Sequence, residues 1–247
     1  MNKFPAVSLA ALAAASAQAA LIPASPTLFL RTNTANFNST EFVQYSSLAN
    51  LAGGTASGSP TIDFNDHQVN DIFWDGSRFY RTYISNGAKN KIYSWSSLED
   101  YGDNSKATIS NMSVNWSTLD DFWCDQGGNF YRTRTAAGGS DGVLKYSSFA
   151  NLLSATGAVY TDFTTNFGLG DRFWVYGDKW YKTTTGSSGV NTITTYASLA
   201  ALAANTAEST INTSVAYSTS DAFVFVPAPG AVTLLGAAGL VGARRRR

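Results

Sequence analysis

Residues 71–82, DIFWDGSRFYRT, have the sequence pattern of a β-hairpin, and this hairpin is the basis for predicting the fold. Asp75-Gly76 lies between two apolar runs, and Asp-Gly in that setting is a strong hairpin signal. Variants recur as DDFWCDQGGNFYRT from residue 120 and DRFWVYGDKWYKT from residue 171. Catalysis needs one constellation, so a stretch repeated in this way indicates a structural unit rather than a unique active site.

Three residue columns repeat along the chain with a period of about 50 residues. One column is acidic: Asp71, Asp120, Asp171 and Asp221. A second is basic and is followed each time by threonine: Arg31, Arg81, Arg132 and Lys182. The third is aromatic and stands two residues before a serine: Tyr45, Trp95, Tyr146 and Tyr196. Independent columns that keep one period indicate a repeat architecture.

Each repeat is interpreted as four short strands, A to D, with one helical turn between C and D. In the second repeat, A is DIFW, B is RFYRT, C is KIYSW and D is ATISNMSV. The helical turn is predicted to be capped by Ser47, Ser97, Ser148 and Ser198. Adjacent Phe and Trp in strand A point to opposite faces, so both faces of that strand must be buried. Small sheets buried on both faces are the blades of a β-propeller.

The two ends of the repeat region predict that the ring closes on itself. The first repeat starts at strand B, TLFLRT (27–32), and its missing strand A appears at the far end as DAFVFV (221–226). We therefore predict an all-β, four-bladed β-propeller within residues 20–226, with the last strand completing the first blade. This plan resembles that of hemopexin-like four-bladed propellers, although no hemopexin sequence motif is present. A β-sandwich or β-solenoid of four similar units is the alternative architecture.

The first nineteen residues are predicted to be a secretory signal peptide. Lys3 is followed by a short apolar run, Val7 to Ala15, and by the A-x-A pattern Ala17-Gln18-Ala19. We expect cleavage before Ala20 and an exported protein, at the cell envelope or surface or outside the cell.

The last residues, 227–247, form a three-part tail. Pro227-Ala228-Pro229-Gly230 precedes an apolar segment, 231–243, and the chain stops on four arginines. As a helix the apolar segment would rise about 20 Å, which makes it a short membrane span. The layout resembles the PEP-CTERM protein-sorting signal, with Ala228 where that family usually has Glu. The resemblance implies transient membrane anchoring and processing by a transpeptidase-like membrane enzyme.

Charge and composition narrow the function classes. All seventeen acidic residues lie between Glu41 and Asp221, whereas five of the seventeen basic residues belong to the two ends, so the body carries a net charge near −5. This argues against a nucleic-acid partner, which favours a basic face. Cys124 is the only cysteine and is predicted to be a small buried residue. His67 is the only histidine, which excludes multi-histidine zinc sites.

The acidic column is the sharpest candidate site. If Asp71, Asp120, Asp171 and Asp221 converged on the channel of the propeller, they would bind a hard cation such as Ca²⁺. The favoured interpretation is structural: each aspartate pairs with the neighbouring basic residue of Arg31, Arg81, Arg132 or Lys182. On that interpretation the protein needs no cofactor. Asp75, Asp125 and Asp178 are assigned to hairpin turns.

Aromatic and acidic residues also raise two further hypotheses. The repeated Phe-Trp pairs are predicted to be core, while Tyr83, Trp116, Phe167 and Tyr176 lie outside the columns as weak candidates for exposed sugar-stacking residues. The Asp120-Asp121 doublet breaks the repeat, but neighbouring strand residues point apart and make a poor hydrolytic dyad. The leading hypothesis is a non-enzymatic interaction or structural module that contacts surface proteins. A propeller that binds exopolysaccharide is the second hypothesis, and a hydrolase is the third.

Overall fold

The computed structural model describes residues 27–36, 39–57, 71–83, 90–101, 103–116, 120–134, 141–168, 171–185, 191–217 and 221–227. Several sequence predictions fall outside these ranges: the signal peptide 1–19, the tail from Ala228 onwards with its apolar segment 231–243, His67, and strand D of the first repeat. Every helix within the described ranges is too short or too polar to cross a bilayer.

The described residues form short antiparallel strands and three helices. In chain order the strands are β1 (Thr27–Asn36), β2 (Ser39–Tyr45), β3 (Ile72–Trp74), β4 (Phe79–Tyr83), β5 (Lys91–Trp95), β6 (Thr108–Asn111), β7 (Phe122–Cys124), β8 (Phe130–Arg134), β9 (Gly142–Tyr146), β10 (Val159–Asp162), β11 (Asp171–Tyr176), β12 (Lys179–Thr184), β13 (Asn191–Tyr196), β14 (Ser209–Thr213) and β15 (Phe223–Pro227). The helices are α1 (Leu48–Gly53), α2 (Phe149–Ser154) and α3 (Leu199–Ala203).

Four separate sheets make up a four-bladed β-propeller, as the repeats predict. Blades 2, 3 and 4 have the strand orders β3-β4-β5-β6, β7-β8-β9-β10 and β11-β12-β13-β14, and blade 1 has the order β15-β1-β2. The innermost strands contact one another in a cycle, β15 with β3, β3 with β7, β7 with β11, and β11 with β15. This cycle excludes the sandwich and solenoid alternatives, because neither returns to its first unit.

The chain closes the ring with its last strand. β15 pairs antiparallel with β1, and Leu30 lies opposite Val224. The strand runs one residue beyond the predicted boundary of the domain and ends at Pro227. Closure in this way hides the free edges of β1 and β15 from edge-to-edge association.

Serine caps begin the helical turns, and in blades 1, 3 and 4 these turns hydrogen-bond to the preceding blade of the ring. Oγ of Ser47, Ser148 and Ser198 accepts the N–H of the residue three positions later at 3.1 to 3.2 Å. The backbone N–H groups of Ser113, Thr164 and Ser214 then donate to carbonyls of the next blade's helix. In blade 2 Ser97 caps a tight turn that does not continue into an α-helix.

Aromatic side chains of the innermost strands fill the spaces between blades. Phe73 and Phe122 belong to a cluster between blades 2 and 3, and Trp123 and Phe173 to one between blades 3 and 4. Trp174 and Phe225 belong to a third cluster, between blades 4 and 1. These contacts confirm the prediction that the repeated aromatic pairs are core. Trp74 is the exception, since it is only half-buried.

Candidate functional site

The strand registers divide the predicted acidic column into two structural positions. Arg132, Lys182 and Arg31 pair with Phe122, Phe173 and Phe223, whereas Arg81 pairs with Ile72. Asp71 directly precedes Ile72, the residue that pairs with Arg81. Asp120, Asp171 and Asp221 instead lie two residues before the residue that pairs with the basic residue of their blade. The assumption that four aspartates occupy one equivalent position is therefore wrong for Asp71.

The three equivalent aspartates lie beside the basic residues of their own blades. Asp120 forms a close ion pair with Arg132, whose Nη2 is 2.7 Å from Asp120 Oδ2. Asp171 and Asp221 lie farther from their bases, each 3.9 Å from the nearest nitrogen of Lys182 and Arg31. Asp171 Oδ1 also accepts a hydrogen bond from Oγ1 of Thr184 at 2.7 Å.

Arg81 of blade 2 contacts an asparagine and two aromatic rings. Its Nη2 donates to Oδ1 of Asn104 at 3.0 Å, and its guanidinium lies 5.2 and 5.1 Å from the ring centroids of Tyr93 and Trp95. Stacking of this kind lets a buried cation sit among aromatic rings. The basic column therefore forms ion pairs in blades 1, 3 and 4, and its arginines also lie over aromatic rings, as Arg31 does over Tyr217 and Arg132 over Phe122.

The residues that share the position of Asp71 form an inner column: Asp71, Asp121, Arg172 and Ala222. The first three are ionisable side chains, and all are buried, with exposed fractions of 7%, 3% and 7%. Threonines of the basic-Thr pairs fix this column, because Oγ1 of Thr82, Thr133 and Thr32 accepts the backbone N–H of Asp71, Asp121 and Ala222 at 2.6 to 2.8 Å. In blade 4 the corresponding Thr183 hydroxyl donates to the Arg172 carbonyl at 3.4 Å.

Side chains of the inner column connect all four blades in what we call the central network. Nη1 of Arg172 donates to Oδ1 of Asp121 at 2.8 Å and to its own strand at the carbonyl of Asp171. Nε of Arg172 donates to the carbonyl of Asp221 at 3.2 Å. Oδ2 of Asp71 accepts the N–H of Phe122 at 3.1 Å, which brings the carboxyl of Asp71 next to that of Asp121.

Burial sets the electrostatics of the central network. Burial raises the pKa of Asp71 well above its usual value, the nearby charge of Asp121 raises it further, and Arg172 offsets part of the rise. Burial also raises the pKa of Asp121, against the lowering effect of the Arg172 guanidinium beside it. Burial alone would lower the pKa of Arg172, but the charges of Asp121 and Asp71 outweigh it and the pKa rises.

The carboxylate pair differs from the doublet that the sequence suggested. Asp120 and Asp121 do point apart, as their neighbouring positions require, with Asp120 bonded to Arg132 and Asp121 to Arg172. The pair that meets is Asp71 with Asp121, one from each of two adjacent blades. Both carboxyls are buried, so the arrangement is suited to holding a proton between them, with the Arg172 guanidinium as the neighbouring positive charge.

No metal-binding constellation is found in the part of the chain that the structure describes, where no three His, Cys, Asp or Glu side chains are grouped as ligands. The register also separates Asp71 from Asp120, Asp171 and Asp221, so these four side chains do not form the single equivalent ring that the calcium hypothesis assumes.

The remaining candidates are structural or partly covered. Trp116 is buried rather than exposed, and Tyr83, Phe167 and Tyr176 are half-buried. Cys124 is buried as predicted; its thiol donates to the carbonyl of Trp74 and burial raises its pKa. Asp75 and Asp125 stabilise their hairpin turns and each also accepts a hydrogen bond from a tyrosine hydroxyl, that of Tyr80 or Tyr131.

The fold defines the class of protein, a four-bladed β-propeller, and comparisons with known proteins add little to it. No protein-family model matches the chain, and no curated protein matches it. Among solved structures, TolB from Acinetobacter baumannii is similar to it at 15% sequence identity and a TM-score of 0.35. The match covers 71% of this chain and 40% of that one, so the chain spans less than half the length of that protein.

Proposed function

We propose that this protein is an exported, non-enzymatic β-propeller that acts as an interaction module at the bacterial cell surface. The A-x-A pattern before Ala20 supports export, and the three-part tail from Pro227 supports sorting by a PEP-CTERM-like route. In this proposal the tail holds the chain in the membrane until a transpeptidase-like enzyme processes it. The acidic, sparsely charged body suits an extracellular setting and disfavours nucleic acid as a partner.

The observation that carries the proposal is an apolar rim on the outermost strands. Ile109 of β6, Val159 of β10 and Ile211 of β14 are 50%, 65% and 37% exposed, although large aliphatic side chains are usually buried. Each lies on the last strand in the order of its sheet. The rim therefore combines apolar side chains with strands that have one neighbour within the sheet.

The chemistry of this rim favours a protein partner. An extended segment can add a strand to a sheet edge through main-chain hydrogen bonds, with side chains supplying specificity. The sequences of β6, TISN, and β14, STINT, contain no charged residue that would oppose such pairing. Sugar sites rely on stacking against aromatic rings; β6 and β14 carry aliphatic side chains instead, although Tyr160 on β10 is also exposed. We therefore propose a surface protein as the partner and keep exopolysaccharide as the alternative.

Lysine substitution on the rim tests the proposal in cells that express the full-length chain. A triple variant, Ile109→Lys, Val159→Lys and Ile211→Lys, places a charge on each outermost strand. The control, Gln126→Lys, Thr165→Lys and Ala204→Lys, adds the same charge at exposed positions outside those strands. We expect the rim variant alone to lose surface retention by about tenfold, which corresponds to ~1.4 kcal/mol of binding free energy.

The alternatives have distinct outcomes in the same experiment. Equal retention of both variants would contradict the rim as the contact surface. Binding of purified exopolysaccharide by the wild type and the rim variant alike would favour the glycan alternative. A hydrolytic activity lost on Asp121→Asn in correctly folded protein would favour the enzyme hypothesis. Export itself is tested by amino-terminal sequencing of the secreted form, which should begin at Ala20.

A further inference from the structure

One carboxylate oxygen of Asp121, next to Asp71, is buried and lacks a hydrogen-bond donor. Oδ1 of Asp121 accepts from Arg172, but Oδ2 is buried and has no donor among the atoms of the structure. A carboxylate oxygen in that position needs a donor, because a buried polar atom without a partner is costly. The neighbouring carboxyl of Asp71 supplies one only if it carries a proton.

Asp71 is the better holder of that proton. Asp121 has a guanidinium 2.8 Å away, which stabilises its ionised form. The hydrogen bond that Asp71 accepts from the main chain comes from the neutral N–H of Phe122. Burial and the negative charge of Asp121 act on Asp71 in the same direction, since both raise its pKa.

We propose that Asp71 and Asp121 share one buried proton, and that this proton acts as a latch between blades 2 and 3 of the ring. Through Asp121 the latch continues to Arg172 of blade 4, and through Arg172 to the carbonyl of Asp221 beside the closing strand. When the proton leaves, two anions in contact face one cation, and the junction between blades 2 and 3 loosens.

The surrounding charges do not replace the lost proton. Asp120 before β7 is neutralised by Arg132 of its own blade. Asp171 of β11 and Asp221 before β15 add negative charge near the network, and each lies 3.9 Å from a base of its own blade, Lys182 or Arg31. Arg172 is the cation that contacts this pair, through its hydrogen bond to Asp121.

The sign of the pH effect follows from the raised pKa of Asp71. A group whose pKa is higher in the folded state than in the unfolded state stabilises the fold fully below its unfolded value, near 3.9. That contribution is lost as the pH rises through the folded value. The latch therefore closes on the acidic side and opens on the alkaline side.

Asp71→Asn tests the latch, because the amide donates to Asp121 and accepts from Phe122 at every pH. Thermal unfolding of the full-length protein would be measured from pH 5 to pH 9 for the wild type, Asp71→Asn, and Asp178→Asn as a control on an exposed turn. We expect the wild type and the control to lose stability towards pH 9, and Asp71→Asn to lose markedly less. Identical pH profiles for the wild type and Asp71→Asn would overturn the proposal.

Two measurements on the wild type keep the proposal testable if Asp71→Asn does not fold. Infrared difference spectroscopy should show a protonated carboxylic acid at neutral pH that disappears on alkaline titration. Hydrogen exchange at the amide of Phe122 should accelerate over the same pH range beyond its intrinsic base-catalysed increase. A fully ionised carboxylate signal at neutral pH, or a Phe122 amide that stays protected throughout, would refute the shared proton.

Discussion

Arg172→Met is expected to be the most damaging single substitution in the central network. The guanidinium donates buried hydrogen bonds to Asp121 Oδ1 at 2.8 Å, to the Asp171 carbonyl at 3.1 Å and to the Asp221 carbonyl at 3.2 Å. Methionine fills similar space but leaves the Asp121 carboxylate buried without its cation. Removing one partner of a buried ion pair typically costs about 3–5 kcal/mol.

The assay is thermal unfolding of the full-length protein at pH 7, followed by circular dichroism. For a domain of this size, 1 kcal/mol shifts Tm by about 2–4 °C, so Arg172→Met should lower Tm by about 6–20 °C. The matched control is Lys179→Met, since Lys179 also forms an ion pair of 2.8 Å, with Glu208, but on the surface. Exposed pairs contribute little, so the control should change Tm far less.

A second substitution separates the loss of the ion pair from the loss of packing. Asp121→Asn in the Arg172→Met background removes the uncompensated charge, and it should restore part of the lost stability. The reasoning would be refuted if Arg172→Met lowered Tm no more than Lys179→Met does. It would also fail if the double variant were less stable than Arg172→Met alone.

Two further substitutions test the fold around the central network. Thr82→Val keeps the shape of the side chain but removes the acceptor for the buried N–H of Asp71. It should lower the free energy of unfolding by about 1–3 kcal/mol, measured by urea titration. An unchanged midpoint of the titration would contradict that role of Thr82. Phe225→Ala should lower the free energy of unfolding by about 3–5 kcal/mol. The ring centroids of Phe225 and Tyr176 are 4.0 Å apart, so this contact joins the closing strand to blade 4. A loss as small as that of an exposed residue would argue against ring closure by β15.

The repeat period predicted the blades, the order of their strands and the pairing of Leu30 with Val224. These features follow from patterns local to each repeat, and from the strand missing at one end and present at the other. The period did not predict the register of blade 2. An alignment of the Phe-Trp pairs makes Asp71 equivalent to Asp120, whereas an alignment of the turn aspartates makes Asp71 equivalent to Asp121.

The position of the Phe-Trp pair relative to the turn explains the error. Asp75 and Asp125 stabilise equivalent turns, but Trp74 directly precedes Asp75, whereas Cys124 lies between Trp123 and Asp125. Counting back four residues from either turn aspartate leads to Asp71 and Asp121, so the signal was present in the sequence. The partner of Asp121 was not visible in this way, because Arg172 comes from another blade and interrupts the column.

The rim and the central network were missed for different reasons. Exposure of Ile109 and Ile211 cannot be deduced from strand patterns, since strand D alternates like any half-buried strand. The buried proton depends on the separation of two carboxyls from different blades, which periodicity does not determine. Both features depend on how the four units close around a common centre.

The closing strand also constrains how the protein reaches its folded state. Ala222 and Thr32 hydrogen-bond across 190 positions of the chain, so blade 1 cannot be completed until almost the whole repeat region is available. Contacts between such distant segments form slowly, because a long loop must be ordered first. A chain that crosses a membrane from its amino terminus would therefore emerge with its first blade unfinished, and it would stay open to chaperones and proteases until the last strand arrived.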